Sequence, residues 1–187
     1  MRIGIVGAQG VGKTTLIEAL LKEDMFKGWC TVQSPTRYLK QIFGMDIDNA
    51  NAEIQLATLS MQIYNSKFDN IFYDRTVIDN FAYLNWYAAK GKSNLSGNAL
   101  NYIHHMSWEL ANMLDFIFVI PIEFGMEDDG VRNLDPDQQM WIQDEIFRMM
   151  SDFQIDTNKI LRLSGTVEQR VLSVKKTIKE ISGERDS

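Results

Sequence analysis

The sequence predicts an α/β protein, a parallel sheet with helices on both faces. Three observations carry this. Short β-branched or apolar runs at 2–6, 29–33, 71–74, 115–120 and 160–163 alternate with stretches of helical periodicity. Strands that alternate with helices build βαβ units, and these make parallel sheets. Between the first run and the first helix stands Gly7-Ala8-Gln9-Gly10-Val11-Gly12-Lys13-Thr14, which fits G-x-x-x-x-G-K-[ST]. Finally, the polar segments at 34–37, 74–76 and 164–166 and the stretch from 122 each follow a strand run. In such sheets ligands sit beyond the carboxyl ends of the strands.

Each element has its own reason. After the strand at 2–6, residues 14–22 place Leu16, Ile17, Leu20 and Leu21 on one helical face. Lys27-Gly28 breaks the chain, and the strand at 29–33 ends at Ser34-Pro35, since proline cannot continue a central ladder. Thr36 is the expected cap of a short helix that runs to Phe43 and stops at Gly44. Residues 46–51 read as a polar loop. Ile54, Ala57, Met61, Tyr64 and Phe68 then recur at spacings of three and four, with Leu56, Leu59 and Ile63 widening the face, so a long, well-buried helix is expected. The run 71–74 reads as a central strand with Asp74 at its tip. Helices are expected over 77–89, closed by Gly91, and over 98–113, with a loop at 92–97. The strand at 115–120 stops at Pro121, and 122–135 is irregular and acidic. Asp135-Pro136 opens a helix whose face is Ile142, Ile146, Met149 and Phe153, proline being tolerated in a first turn. After the strand at 160–163 and a turn at 164–166, Val167, Val171, Val174, Ile178 and Ile181 line a closing helix with a polar tail from Gly183.

Composition narrows the function. With 187 residues, 45 % of them hydrophobic, one domain with a sizeable core is expected. The net charge of −6 disfavours broad nucleic-acid binding, which needs a basic footprint. Cys30 is the only cysteine, so no internal disulfide forms and a reducing cytoplasm fits. A strand starting at residue 2 leaves no room for a signal peptide, and no apolar run approaches the ~20 residues of a membrane span. The expectation is a cytoplasmic protein.

The glycine loop carries the chemistry. Gly7, Gly10 and Gly12 allow backbone conformations that other residues resist. The N–H groups of the loop, through Val11 and on to Thr15 in the helix, then converge on phosphate oxygens at the helix's positive end. Lys13 is placed to bridge the outer phosphates, and the Thr14 hydroxyl to ligand Mg²⁺. Asp74-Arg75-Thr76 is the second constellation. An acid at a strand tip beside such a loop either orients Mg²⁺ or takes a proton from an attacking hydroxyl. The plainer reading of Asp74 is a helix cap. Arg75, Arg37 and Arg132 are candidate cations for a transferring phosphoryl group, Arg75 set against the plainer reading of a surface partner for Asp74, Arg37 and Arg132 against that of a solvated loop charge. Tyr83 and Tyr87 are candidate pocket walls, while His104 and His105, adjacent on one helix, face different ways.

Four segments together resemble the P-loop kinases of nucleosides and nucleotides: the loop at 7–14, Asp74-Arg75-Thr76 with 77–83 after it, Thr36-Arg37-Tyr38, and Asp129-Gly130-Val131-Arg132. The second is similar to the Asp-Arg-aromatic segment of thymidylate kinases and the Glu-Arg-Ser segment of deoxynucleoside kinases. The third and fourth resemble the ribosylnicotinamide kinase domain and its relatives, many of them phage-encoded ATP-binding proteins. The resemblance implies a P-loop NTPase-type three-layer sandwich, a five-stranded parallel core with a lid at about 122–135. It implies Lys13 and Thr14 at ATP phosphates and Mg²⁺, Asp74 as the acid near the acceptor, Arg75 and Arg37 as acceptor contacts, and Arg132 as the lid arginine. Ribosylnicotinamide kinases carry threonine where Arg75 stands, and deoxynucleoside kinases carry Glu where Asp74 stands. Two acceptor-side arginines favour a nucleoside monophosphate as acceptor, because an incoming phosphate needs cations. A nucleoside acceptor with Asp74 as base, and an ATPase switch with no small acceptor, remain the alternatives. The expected partners are ATP and a small acceptor, neither nucleic acid nor membrane, with a homodimer left open.

Overall fold

The computed structural model describes residues 1–32, 34–46, 49–123 and 135–183. Five strands form one sheet: β1 (Arg2–Val6), β2 (Cys30–Val32), β3 (Ile71–Asp74), β4 (Phe116–Val119) and β5 (Ile160–Arg162). Their order is β2-β3-β1-β4-β5 and every pairing is parallel. Seven helices are found among the described residues: α1 (Lys13–Leu20), α2 (Pro35–Phe43), α3 (Ala52–Asn65), α4 (Val77–Ala89), α5 (Gly97–Asn112), α6 (Pro136–Asp152) and α7 (Val167–Ser182). The expected five-stranded parallel core is therefore present, with β1 at its centre between β3 and β4.

Alternation along the strands splits the core into two layers. Ile3, Ile5, Phe72 and Phe118 point to one face, where Leu16, Ile17 and Leu20 of α1 meet Val171, Val174 and Ile178 of α7. Ile71, Tyr73, Ile117 and Val119 point to the other, against Val77, Ile78 and Phe81 of α4 and Ile142, Ile146 and Met149 of α6. The face expected for α6 is the buried one. Asp135 caps that helix by accepting the N–H groups of Asp137 (3.0 Å) and Gln138 (3.3 Å), with Pro136 in the first turn.

Three expectations are corrected. Thr36 does not cap α2: the helix starts at Pro35, Ser34 holds the cap position, and their two hydroxyls lie 3.0 Å apart. Proline's fixed φ suits the first helical residue, which moves the start forward. In α3 the inward face is Ile54, Gln55, Thr58, Leu59, Gln62 and Asn65, while Leu56, Ile63, Tyr64 and Phe68 are exposed. The inner face borders a polar gap: Thr58 and Gln62 line it with Asn80 of α4 and Ser107 of α5, and Thr58 Oγ1, Gln62 Nε2 and Asn80 Nδ2 have no hydrogen-bond partner among the described residues, while the Asn65 carbonyl accepts the Tyr73 hydroxyl at 3.0 Å. A rule that counts apolar spacing selects the wrong side when the buried side is half polar. Ile181, placed on the inner stripe of α7, is also exposed.

The glycine loop leaves β1 and turns tightly beneath β4. At Gly7, φ is 152°, and a Cβ there would stand 2.5 Å from the Ile120 carbonyl oxygen and 2.9 Å from Val11 Cγ2. A backbone oxygen cannot yield to that contact. Gly7→Ala is expected to cost about 2 kcal/mol or more, seen as a melting temperature lower by about 5 °C; an unchanged melting temperature would show that the loop repacks freely.

Candidate active site

The loop closes onto the first turn of α1. Gly12 is the N-cap of that helix with φ 90°, and no side chain caps it. Its first N–H groups are therefore left facing the loop, the arrangement that suits an anion. The Lys13 ammonium folds across the loop, 2.5 Å from the Gly7 carbonyl oxygen and 2.6 Å from that of Ala8. Thr14 Oγ1 donates to Asp74 Oδ2 at 2.6 Å. That contact follows from sheet register, since Asp74 pairs with Ile5 on the neighbouring strand and so ends level with the loop.

The turn after Asp74 is held by a side chain that sequence reasoning gave no role. Asp79, fully buried in the first turn of α4, accepts Gly7 N–H through Oδ1 (3.1 Å) and Thr76 N–H and Oγ1–H through Oδ2 (2.8 and 3.2 Å). Thr76 and Asp79 form a capping box, and the same carboxylate reaches across to the loop. Burial pushes the Asp79 carboxyl up, while Lys13, the Thr76 and Gly7 donors and Arg75 pull it down; the net direction is upward. Between Asp74 and Thr76 the chain passes through Arg75 with φ 74°, the left-handed region that L-residues seldom occupy. The Arg75 guanidinium lies over the Tyr83 ring, 4.8 Å from its centre. Burial works against that charge, but Tyr83, Asp79 and Asp74 outweigh it and hold the group firmly cationic.

Gln9 ties this corner to α6. Its side-chain oxygen accepts the Tyr83 hydroxyl, its Nε2 donates to Gln138 Oε1 (3.4 Å), and its carbonyl accepts Gln139 Nε2 (2.6 Å). On the opposite side of the loop, Arg170 of α7 donates through Nη1 to the Val11 carbonyl (2.9 Å) and through Nη2 to Glu123 Oε2 (2.8 Å). Glu123 Oε2 also accepts Gly165 N–H at 3.0 Å. The Arg170 hydrogen bond, with the Gly165 amide and the nearby arginine charges, holds the Glu123 carboxyl below its ordinary range.

These parts enclose a cleft of about 390 Å³ at the carboxyl edge of the sheet. It is lined by the loop from Gln9 to Thr15, by Ser34 and Arg37 at the start of α2, by Asp74 and Arg75, and by Gly165, Thr166, Val167 and Arg170. Most of the expected site residues thus meet: Gly10, Val11, Gly12, Lys13, Thr14 and Thr15 with Arg37, Asp74 and Arg75. Gly7 lies beneath the loop rather than on the cleft wall. Tyr83 stands behind Arg75 and does not line the cleft. Tyr87 packs with the core. Arg132 lies outside the described residues, as does nearly all of the expected lid. His104 lies midway along α5, where it bonds Asp152 at 2.7 Å, and does not line the cleft. Of the residues missed, Asp79 was signalled by Thr76-x-x-Asp79, a capping spacing next to a chemical motif. Arg170 was signalled by its place among Val167, Val171 and Val174, a charge on an apolar stripe.

A loop of this shape at the carboxyl edge of a 2-3-1-4-5 parallel sheet defines a P-loop protein with the fold of the small-molecule kinases. The chain belongs to the AAA_28 family of AAA domains, which matches residues 2–170. Among solved structures it resembles NadR protein in complex with NR, with a TM-score of 0.74, 20 % identity and coverage of 100 % of this chain and 53 % of that one. NadR in complex with NAD and AMP-PNP gives 0.72 and 17 %, over 100 % and 50 %. This chain therefore spans about half the length of those NadR chains. Deoxyadenosine kinase from M. mycoides, with products dCMP and a flexible dCDP bound, gives 0.66 and 14 %, over 97 % and 100 %. YorR protein from Bacillus subtilis, in complex with phosphorylated GDP, gives 0.62 and 13 %, over 99 % of each chain. At these identities the likeness is one of fold. No curated protein sequence matches the chain.

The Glu123 carboxyl yields a pH prediction. Its folded pKa is lowered, so the stability it adds is present in full above the ordinary glutamate value of 4.5 and is lost as pH falls through the folded pKa. Glu123→Gln is expected to lower stability at pH 7 and to flatten the fall in unfolding free energy below pH 4.5. Denaturant titrations across pH would read this, and parallel curves for the two proteins would remove Glu123 from the acid limb.

Proposed function

We propose that the chain is an ATP-dependent phosphotransferase whose acceptor is a (deoxy)nucleoside monophosphate. The observation that carries this is the lining of the cleft: Lys13 and Thr14 of the glycine loop share it with two further cations, Arg75 and Arg37. A nucleotide acceptor brings a phosphate that ATP repels, and two fixed cations offset that repulsion. Lys13 leaves the Gly7 and Ala8 carbonyls for the outer phosphates of ATP, and the loop amides take their oxygens. Thr14 Oγ1 and Asp74 Oδ2, hard oxygen donors 2.6 Å apart, suit a magnesium ion, for which oxygen ligands are preferred. Bound there with ATP, Mg²⁺ would neutralise charge on the bridging phosphates. Arg75 then holds the acceptor phosphate in line, and Arg132, on the segment that follows Glu123, supplies a further cation to the transferring group. The chain, at a net charge of −6, works on small molecules rather than nucleic acid.

A second reading keeps the fold and changes the acceptor to a nucleoside, with Asp74 as general base. It is supported by the nucleoside-kinase fold of the M. mycoides protein and the NR complex of NadR. The Thr14 hydroxyl on Asp74 Oδ2 favours the first reading, because it commits that carboxylate to the metal side.

The test is ADP release from ATP·Mg²⁺ against a panel of nucleosides, nucleoside monophosphates and ribosylnicotinamide. Stimulation by a monophosphate is the expected outcome. Stimulation by a nucleoside selects the second reading, and none, with ATP still bound, selects an ATPase switch. Arg75→Ala is expected to lower kcat/KM by about 100-fold, a charge-assisted contact of about 2.7 kcal/mol, with ATP affinity little changed. Unchanged turnover in that variant would remove Arg75 from the acceptor site.

A further inference from the structure

Arg170 is a charge where the fold expects an apolar residue. It sits one turn into α7, between Val167 and Val171 on the stripe that packs against the sheet, and is only 4 % exposed. Burying a guanidinium is expensive unless its donors are satisfied. Two of them are, and both partners matter: the Val11 carbonyl inside the glycine loop (2.9 Å) and the Glu123 carboxylate (2.8 Å).

The first of these contacts has a geometric consequence. A trans peptide is planar, and its C=O and N–H point in opposite directions. All peptide bonds of the described residues are trans. Holding the Val11 carbonyl out towards α7 therefore turns the Gly12 N–H of the same plane the other way, towards the loop's concave side. Gly12, with φ 90°, offers no side chain to resist a flip of that plane. A Cβ there would lie 3.4 Å from Arg170 Nη1, an ordinary contact that places the guanidinium directly beside this glycine. Glu123 completes the arrangement by fixing the guanidinium and by accepting the Gly165 amide across the mouth of the cleft.

We infer that Arg170 is a positioning residue for polyphosphate binding: it locks the Val11–Gly12 peptide so that the Gly12 amide donates into the anion site, and Glu123 holds it in that task. It rests on the nucleotide-binding reading above and adds a residue that touches no reacting atom.

The measurement is calorimetric titration of the whole chain with ADP and with inorganic tripolyphosphate, for the unaltered protein, Arg170→Lys and Arg170→Gln, each checked for its melting temperature. Arg170→Gln is expected to weaken tripolyphosphate binding by about tenfold. Arg170→Lys, which keeps one donor to Val11, should recover part of it. KM for ATP should rise while KM for the acceptor stays. Tripolyphosphate at saturation should shift the Gly12 amide resonance in the unaltered protein and shift it less in a folded Arg170→Gln protein, a difference that a role in packing alone would not produce. Equal tripolyphosphate affinity in a folded Arg170→Gln protein overturns the inference, and so does a Gly12 amide shift equal in the two proteins. Failure of the unaltered protein to bind either ligand overturns the nucleotide-binding reading itself, and the inference with it.

Discussion

The Asp79 carboxylate is where two loops become one site. Its oxygens take a donor from Gly7, at the end of β1, and two from Thr76, just past β3. Adjacent parallel strands bring their carboxyl ends level, but register alone does not fix the loops that follow. A buried acceptor with donors from both does. The charge is tolerable because Lys13 and Arg75 lie near it and because the donors replace its lost hydration. Sheet register brings Asp74 level with Thr14, and this junction ties together the two loops that carry Arg75 and Lys13. The core on either side supplies the rigidity, and the junction supplies the alignment.

A second tier of contacts surrounds the glycine loop from outside. Gln9 is held by Tyr83, Gln138 and Gln139, and Val11 by Arg170. With the Gly7, Ala8, Gln9 and Val11 carbonyls and the Gln9 side chain committed to partners, the loop's shape is set before any ligand arrives. The outer partners come from α4, α6 and α7, so helices on both faces of the sheet help to set the loop's shape. Preorganised donors of this kind avoid reorganisation when a charged ligand arrives.

Much of this was legible before the structure. The glycine motif, flanked by a strand and a helix, located the site, and Asp74, Arg75 and Arg37 fell on the same sheet edge by the alternation of elements. The face of α6 was readable because Ile142, Ile146, Met149 and Phe153 meet an apolar layer. The face of α3 was not, because Gln55, Thr58 and Gln62 go inward and aromatic residues stay out. Periodicity reports apolar spacing, and it fails where polar side chains take the inner face. Asp79, Gln9 and Arg170 were missed for a related reason. Their roles are hydrogen bonds across 72, 129 or 159 positions, which no local pattern encodes.

The left-handed backbone at Arg75 sets a conflict between robustness and use. Glycine or asparagine would occupy that conformation at lower cost, by about 1 kcal/mol. Either would also delete the guanidinium from the cleft. Selection for heat resistance alone would thus drift towards the residues the backbone prefers, and the protein that emerged would be sturdier and blunter. The arginine marks a place where the chain carries local strain in order to hold a charge at a fixed spot.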